Sequence, residues 1–413
     1  MRREAGVALS VIDALTEVCG PEHVRTAGPG DAVDGIPAGF VAAPADAEEL
    51  GGLLRVAAEQ ALAVLACGAG TKLDWGVPPA HLDLIVDTTR LAGVYDHAPD
   101  DRLATVGAGT PLRAVRAGLA RAGQRVPLDV PSPGATVGGV LATNESGPLR
   151  LTHGTPRDLI AHARVALADG TVTDRVAGHD LPRLVCGSYG AFGVIAEATL
   201  RLDAVPAARR WVTRAISTPR EVQEFAAALL GSSLSPEAIE ADLPAGAGPG
   251  ELAVLVEGDR LGAQARAQAM ARILGGDAGV GDTPPIWWGR YPFAGDDIAV
   301  RVVGQPTELF AVIYALRDAA GVPVRVRGSV ATGTAHVALP SSMTPAAVRR
   351  VLGATRDVLL VRGGGLAVLL RAPLHVRDGV ESYGGAPLAN ELSRAKAELD
   401  PDGRLAPGRR PER

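Results

Sequence analysis

Three glycine-rich segments carry the residue types most suited to holding a ligand. The first, Cys67-Gly68-Ala69-Gly70-Thr71-Lys72-Leu73, follows the apolar run 62–65. Glycines there let the backbone take positive φ and turn successive N–H groups onto one concave face, a nest for a pyrophosphate. Thr71 adds a hydroxyl donor. The second, Pro131-Ser132-Pro133-Gly134-Ala135-Thr136-Val137-Gly138-Gly139-Val140-Leu141-Ala142-Thr143-Asn144, has small residues at nearly every position and leaves little to clash with a flat ligand. The third, residues 186–200, is a glycine-punctuated turn running into a strand. Taken singly, each reads equally well as a turn or a packing loop. All three in one half of the chain point to a long ligand lying across backbone.

The elements that must position these loops form an α+β pattern without strict βαβ alternation. An amphipathic helix is expected over 7–19 and a short strand at 40–44. Asp46 is expected to cap a helix running to Gln60, with Leu50, Leu53, Leu54 and Ala57 on its apolar face. Strands follow at 62–65, 84–87 and 103–106, a helix at 111–122, a hairpin through Asp169-Gly170, and a strand at 193–202. The stretch 127–154 reads as turns. A boundary falls at 205–209. Beyond it, helices are expected at 219–230, 262–274, 305–319 and 344–354, with strands at 252–256, 298–303, 322–328, 334–339 and 366–370. A last helix is expected at about 387–398. With 413 residues and 47% apolar content, the chain can bury more than one core. The expected division is a first domain over 1–205, a second α+β domain over 206–380 and a C-terminal segment over 381–413.

The order G-x-G-T, then P-G-A-T-x-G-G, then G-S-x-G-x-x-G-V-I-x-E-A-T-L resembles the FAD-binding domain of the vanillyl-alcohol-oxidase (PCMH) type over residues 36–205. Within it, 69–76, 143–148, 177–184 and the closing stretch 399–409 resemble the FAD-binding subunits of bacterial glycolate oxidases. The resemblance implies a two-subdomain FAD domain, a following cap or substrate domain, and a tail that returns to the FAD domain. It implies that Cys67, Gly68, Ala69, Gly70 and Thr71 hold the pyrophosphate, with Lys72 also at the cofactor. Gly134, Ala135, Thr136, Gly138 and Gly139, within 134–139, would contact the ribityl and ring portion, with Pro133 and Thr143 also at the cofactor. Ser188, Gly190, Gly193, Val194 and Ile195 would meet the rest, with adenine read near Ile195. Relatives that attach FAD covalently carry His or Cys in these loops. Here Thr71-Lys72 and 137–140 offer neither, and Cys67 reads as packing, so the FAD is expected to be non-covalent.

Such a domain implies oxidation of a small 2-hydroxy acid, which requires a base for the hydroxyl proton and a cation for the carboxylate. His153 is the first candidate base, with Arg157 beside it and His336 on a strand of the second unit; His179, Arg301 and Arg327 are further candidates. Non-catalytic readings of these residues stay open, as do a structural FAD-bearing subunit in place of an enzyme and an oxidase of a different alcohol substrate. The resemblance also implies partners, a second flavin subunit and an iron–sulfur subunit. The three dispersed cysteines, Cys19, Cys67 and Cys186, cannot themselves ligate such a cluster. A net charge of −5 gives no footprint for nucleic acid. No metal-binding spacing appears, and no apolar run is long enough for a membrane span. A cytoplasmic protein is expected.

Overall fold

The computed structural model describes residues 2–246, 248–383 and 390–409. The first half contains two sheets. One has four strands in the order Val24–Thr26, Phe40–Ala42, Leu84–Asp87, Val64–Cys67, the last two pairings parallel. The other has five antiparallel strands in the order Val94–Ala98, Leu103–Gly107, Val194–Arg201, Ile160–Ala166, Val172–Thr173. The helix Ala47–Glu59 starts where Asp46 accepts the Glu48 and Glu49 N–H groups, both at 2.8 Å. Leu50, Leu53, Leu54 and Ala57 are fully buried. They share a core with Leu15, Val64, Leu84, Val194 and Ala196, so this helix face cements the two sheets together. A second core fills the other side of the five-stranded sheet, under the helices Leu112–Ala120 and Val137–Thr143.

The second half is one eight-stranded sheet in the order Gly279–Gly281, Ala208–Ile216, Gly250–Gly258, Ala238–Leu243, Arg325–Ser329, Thr334–Leu339, Ile298–Gly304, Gly365–Arg371, antiparallel throughout. Side chains alternate between faces along a strand. Ile239, Ala241, Leu243, Val326, Val337, Val300 and Val302 point into a core under four long helices, among them Pro219–Leu230 and Pro345–Val361. The residues between them, including Glu240, Asp242, Arg327, His336 and Arg301, occupy the opposite face and pair across neighbouring strands. This face meets the first half.

Several elements differ from the sequence expectation, three of them on the way to the site. Two strands, Ala208–Ile216 and Ala238–Leu243, were not anticipated. In Ala238–Leu243 the acids Glu240 and Asp242 alternate with apolar residues, on the face that meets the first half, and in Ala208–Ile216 the arginines Arg209, Arg210 and Arg214 interrupt the apolar pattern. Within the stretch expected to be turns lies the helix Val137–Thr143, started by the Thr136 cap and stopped by Asn144 in the left-handed conformation at φ 49°. The beginning of the last expected helix lies outside the described residues; it is seen as Asn390–Leu399.

The tail beyond that helix returns to the first half. Lys396 Nζ donates to the carbonyls of Ala191 (2.8 Å) and Leu405 (2.9 Å). The Val64 N–H donates to Arg404 O and the Ala406 N–H to Val64 O, each at 2.8 Å, so the tail lies alongside the strand Val64–Cys67. No helix among the described residues is long and apolar enough to cross a membrane.

Candidate active site

The strand Val64–Cys67 delivers the first glycine-rich loop to the mouth of an open cleft with about 550 Å³ of space. Residues 67–73 line it, together with Thr136, Gly139 and Thr143 of the second segment, Gly190 of the third, and Arg409 from the tail. Two glycines are required by the geometry. A Cβ on Gly68 would lie 2.2 Å from Thr136 Oγ1, and Gly70 has φ +69°. The Cys67 thiol is pushed up to about 11, by burial first and then by the Asp87 charge. It donates to the Gly68 carbonyl at 3.3 Å and stays a neutral thiol.

The other expected loop residues sit elsewhere. Pro133 and Gly134 are exposed, and the Gly134 Cα would carry a Cβ 3.7 Å from Thr71 Cγ2. The Gly138 N–H donates to Ala108 O at 2.7 Å, and a Cβ there would lie 2.8 Å from Ala108 Cβ. Ala135 is buried, its carbonyl accepting from the Leu112 N–H at 3.0 Å. Ser188 is buried and accepts the Gly190 N–H at 3.2 Å. Gly193 packs on Val165, while Val194 and Ile195 are interior strand residues in the two cores. Packing thus accounts for Gly138, Gly193, Val194 and Ile195, and none of them lines the cleft. Residues 187–189 fasten the second segment to the third, the Gly187 N–H bonding to Leu141 O and that of Tyr189 to Ala142 O.

A second cleft, with about 430 Å³ of space, lies between Pro131 and residues 146–150 of the first half and the polar face of the large sheet. Arg150, Glu240, Tyr291, Arg327 and His336 line it. Arg327 is braced: its Nε donates to Asp242 at 2.8 Å and its Nη1 to the carbonyls of Arg290 and Tyr291 at 3.1 Å. His336 is half-buried and stands edge-on to the Tyr291 ring, with centroids 4.9 Å apart. Burial, then the Arg301 and Arg150 charges, lower its pKa to about 3, so its imidazole is neutral. Glu240 is raised to about 8 by burial and by the nearby Asp129 charge.

One buried network joins the two clefts. Asn144 ends its helix in the left-handed conformation and turns Glu145 inward, where Glu145 forms an ion pair with Lys72. The side chains are 4% and 1% exposed. The other Glu145 oxygen accepts from Ser132 Oγ at 2.8 Å and from Tyr291 OH at 2.7 Å. Burial and the Glu145 charge raise the Tyr291 pKa, which keeps that hydroxyl a donor. Trp75 packs edge-on against Tyr291 at 5.4 Å, and Arg377 holds the same loop by donating to Asp74 O at 2.8 Å.

Among the acid–base candidates, only His336 and Arg327 reach the second cleft. His153 is drawn to Asp203 instead, at 3.8 Å, on the flank where Arg125 joins Asp203 and Glu257. Arg157 donates to Cys186 O at 2.7 Å and its N–H to Asn144 Oδ1 at 3.2 Å, so it braces the second and third segments rather than facing either cleft. His179 bonds Glu398 at 2.7 Å and ties down the last helix. Sequence reading missed Arg150, Glu240, Tyr291 and Arg409. The alternation Glu240-Ala241-Asp242 was a signal for a strand with one polar face.

Comparison with known families fits this geometry. Residues 38–174 match the family model described as FAD binding domain. This part of the chain is similar to an FAD-binding domain. D-2-hydroxyglutarate dehydrogenase of Xanthomonas citri pv. viticola is 33% identical over 174 residues, 40% of this chain and 37% of its own length. D-lactate dehydrogenase of Archaeoglobus fulgidus is 34% identical over 39% of this chain and 38% of its own length. Glycolate oxidase subunit GlcE of Escherichia coli is 34% identical over 38% and 47%. The matches therefore span less than half of each of these relatives. Over the full fold, 4-ethylphenol oxidase from Gulosibacter chungangensis superposes with a TM-score of 0.69, at 14% identity, covering 98% of this chain and 97% of that one. An alkyldihydroxyacetonephosphate synthase gives 0.72 at 15% identity, covering 97% and 84%. The chain therefore shares its overall fold with these two structures.

Gly70→Val puts a β-branched residue at φ +69° in an otherwise open spot, where the nearest atom to a Cβ is Leu73 Cδ1 at 3.7 Å. The variant should fold with wild-type cooperativity yet lose its flavin on gel filtration. Wild-type flavin occupancy in the variant would contradict the placement of the first loop in the cofactor cleft.

Proposed function

We propose that the protein is an FAD-dependent oxidoreductase that oxidises a small 2-hydroxy acid to the 2-oxo acid. The observation that carries this reading is an arginine-bearing pocket joined to the FAD cleft through Lys72, Glu145 and Tyr291. Residues 67–73, Thr136, Gly139, Thr143, Gly190 and Arg409 would hold the cofactor. When bound, FAD supplies the acceptor for the hydride that leaves substrate C2. Arg150 and Arg327 hold the substrate carboxylate, a charge-assisted contact suited to guanidinium. His336 takes the hydroxyl proton. Its imidazole is neutral, as an acceptor must be, and an anionic substrate offsets the Arg150 charge that lowers its proton affinity. Tyr291 fixes the imidazole plane through its ring and the loop position through Glu145.

The FAD is held without a covalent bond, since the one thiol at the cleft, Cys67, is kept neutral and bonded to backbone. Acid denaturation should leave free FAD in the supernatant; yellow colour in the precipitate would contradict this. Electrons pass onward to a partner subunit, as the relationship to a glycolate oxidase subunit supports. Peroxide formation by the chain expressed alone, at the rate of cell extract, would contradict the partner.

The test of the activity is anaerobic mixing of the FAD-loaded protein with 2-hydroxy acids and with the matching alcohols that lack the carboxylate. The acids should bleach the flavin and the alcohols should not. Equal bleaching by both would remove the role given to Arg150 and Arg327.

A further inference from the structure

The second cleft has a polar end that the 2-hydroxy-acid group does not use. Glu240, Ser329 and Thr334 line it and are 7%, 4% and 3% exposed. Glu240 Oε1, Ser329 Oγ and Thr334 Oγ1 are buried and have no hydrogen-bond partner among the described residues. Ser329 lies close enough to Glu240 to favour the charged carboxylate, yet no hydrogen bond of normal geometry joins them. Buried polar atoms are almost always paired, and each one left unpaired costs roughly 1–3 kcal/mol. Three such atoms in one pocket wall mark a place where something else supplies the partners.

The backbone explains why they cluster. Glu240 pairs directly with Ser329 across the strands Ala238–Leu243 and Arg325–Ser329. The turn Val330–Thr332 then returns the chain to Thr334, first residue of the strand Thr334–Leu339. Gly328 permits the close approach, since a Cβ on it would lie 2.2 Å from Thr334 O. The paired residues Arg327 and His336 lie two positions further along these strands on the same face. Two strand residues span roughly 7 Å. The pocket therefore has a cationic end at Arg327 and His336 and a neutral hydrogen-bonding end about 7 Å away.

We propose that the substrate is a polyhydroxylated acid, an aldonate of about four to six carbons, whose distal hydroxyls bond to Glu240, Ser329 and Thr334. The inference rests on the 2-hydroxy-acid reading above and names the substrate class within it. A carboxyl and two hydroxyls offer both donors and acceptors, which suits the mixed donor–acceptor character of vicinal hydroxyls. Glycolate and lactate, held by the arginines, are too short to reach this end and leave its polar atoms unpaired. A site built to bond a substrate hydroxyl discriminates strongly against analogues that lack it.

The experiment is anaerobic flavin reduction of the FAD-loaded protein by lactate, erythronate and gluconate, with kcat/KM measured for each. Erythronate or gluconate should exceed lactate at least tenfold. Thr334→Val and Ser329→Ala should each lower the ratio of the preferred aldonate to lactate by about tenfold. Lactate equal to or better than both aldonates would overturn the substrate class while leaving the 2-hydroxy-acid reading intact. An aldonate preference that persists unchanged in both variants would overturn the assignment of Glu240, Ser329 and Thr334. No bleaching by any of the three acids would overturn both readings, an outcome distinct from the first two.

Discussion

Lys72→Met should destabilise the protein by about 3–5 kcal/mol, the usual cost of breaking a buried ion pair from one side. Lys72 and Glu145 are 4% and 1% exposed at their side chains, so the charge left on Glu145 has no water to turn to. Its remaining partners, Ser132 and Tyr291, donate from neutral hydroxyls. The loss should appear as a lower urea midpoint of the FAD-free chain, so that the cofactor's own contribution is set aside. Lys72→Met combined with Glu145→Gln removes both charges and should recover more than half of the loss. A Lys72→Met variant within 1 kcal/mol of wild type would show that the pair is not the joint between the two clefts.

Arg150→Met should lower kcat/KM for a 2-hydroxy acid by about 100- to 1000-fold, as expected when one partner of a desolvated charge pair of roughly 2–5 kcal/mol is removed. Arg150 is the more informative of the two cleft arginines. Arg327 also holds Asp242 and the carbonyls of Arg290 and Tyr291, so its loss would disturb the scaffold. Arg150 is presented by the short helix Arg150–His153, and burial together with the Arg301 charge already lowers its pKa. Removing it costs no internal hydrogen bond named for Arg327. FAD content should match wild type, because Arg150 is not part of the first cleft. A variant with unchanged kcat/KM would move the carboxylate site elsewhere.

Part of the lining of the first cleft was legible in the sequence because glycine spacing reports backbone directly. Gly68 and Gly70 stand where side chains cannot, and Thr136 caps the helix that the second segment forms. At Gly138 and Gly193 the missing side chain makes room for Ala108 and Val165. Glycine marks close approach without saying what approaches. The substrate side was nearly illegible. Arg150, Glu240, Tyr291 and His336 come from four separated places, and only the pairing of strands 238–243, 325–329 and 334–339 puts Glu240 and His336 on one wall with Arg327. His153 looked catalytic because of its loop, but Asp203, fifty residues on in the chain, claims it. Arg409 reaches the cofactor cleft only because the tail folds back along Val64–Cys67, a return that the family resemblance implied and local spacing did not.

The most direct measurement is anaerobic flavin reduction by one 2-hydroxy acid carrying either hydrogen or deuterium at C2, in a preparation shown to hold one FAD per chain. Bleaching by both, slower with deuterium, is the result expected if the C2 hydride leaves from the pocket formed by Arg150, Arg327 and His336. A chain fully loaded with FAD whose flavin stays oxidised with every 2-hydroxy acid offered would contradict it.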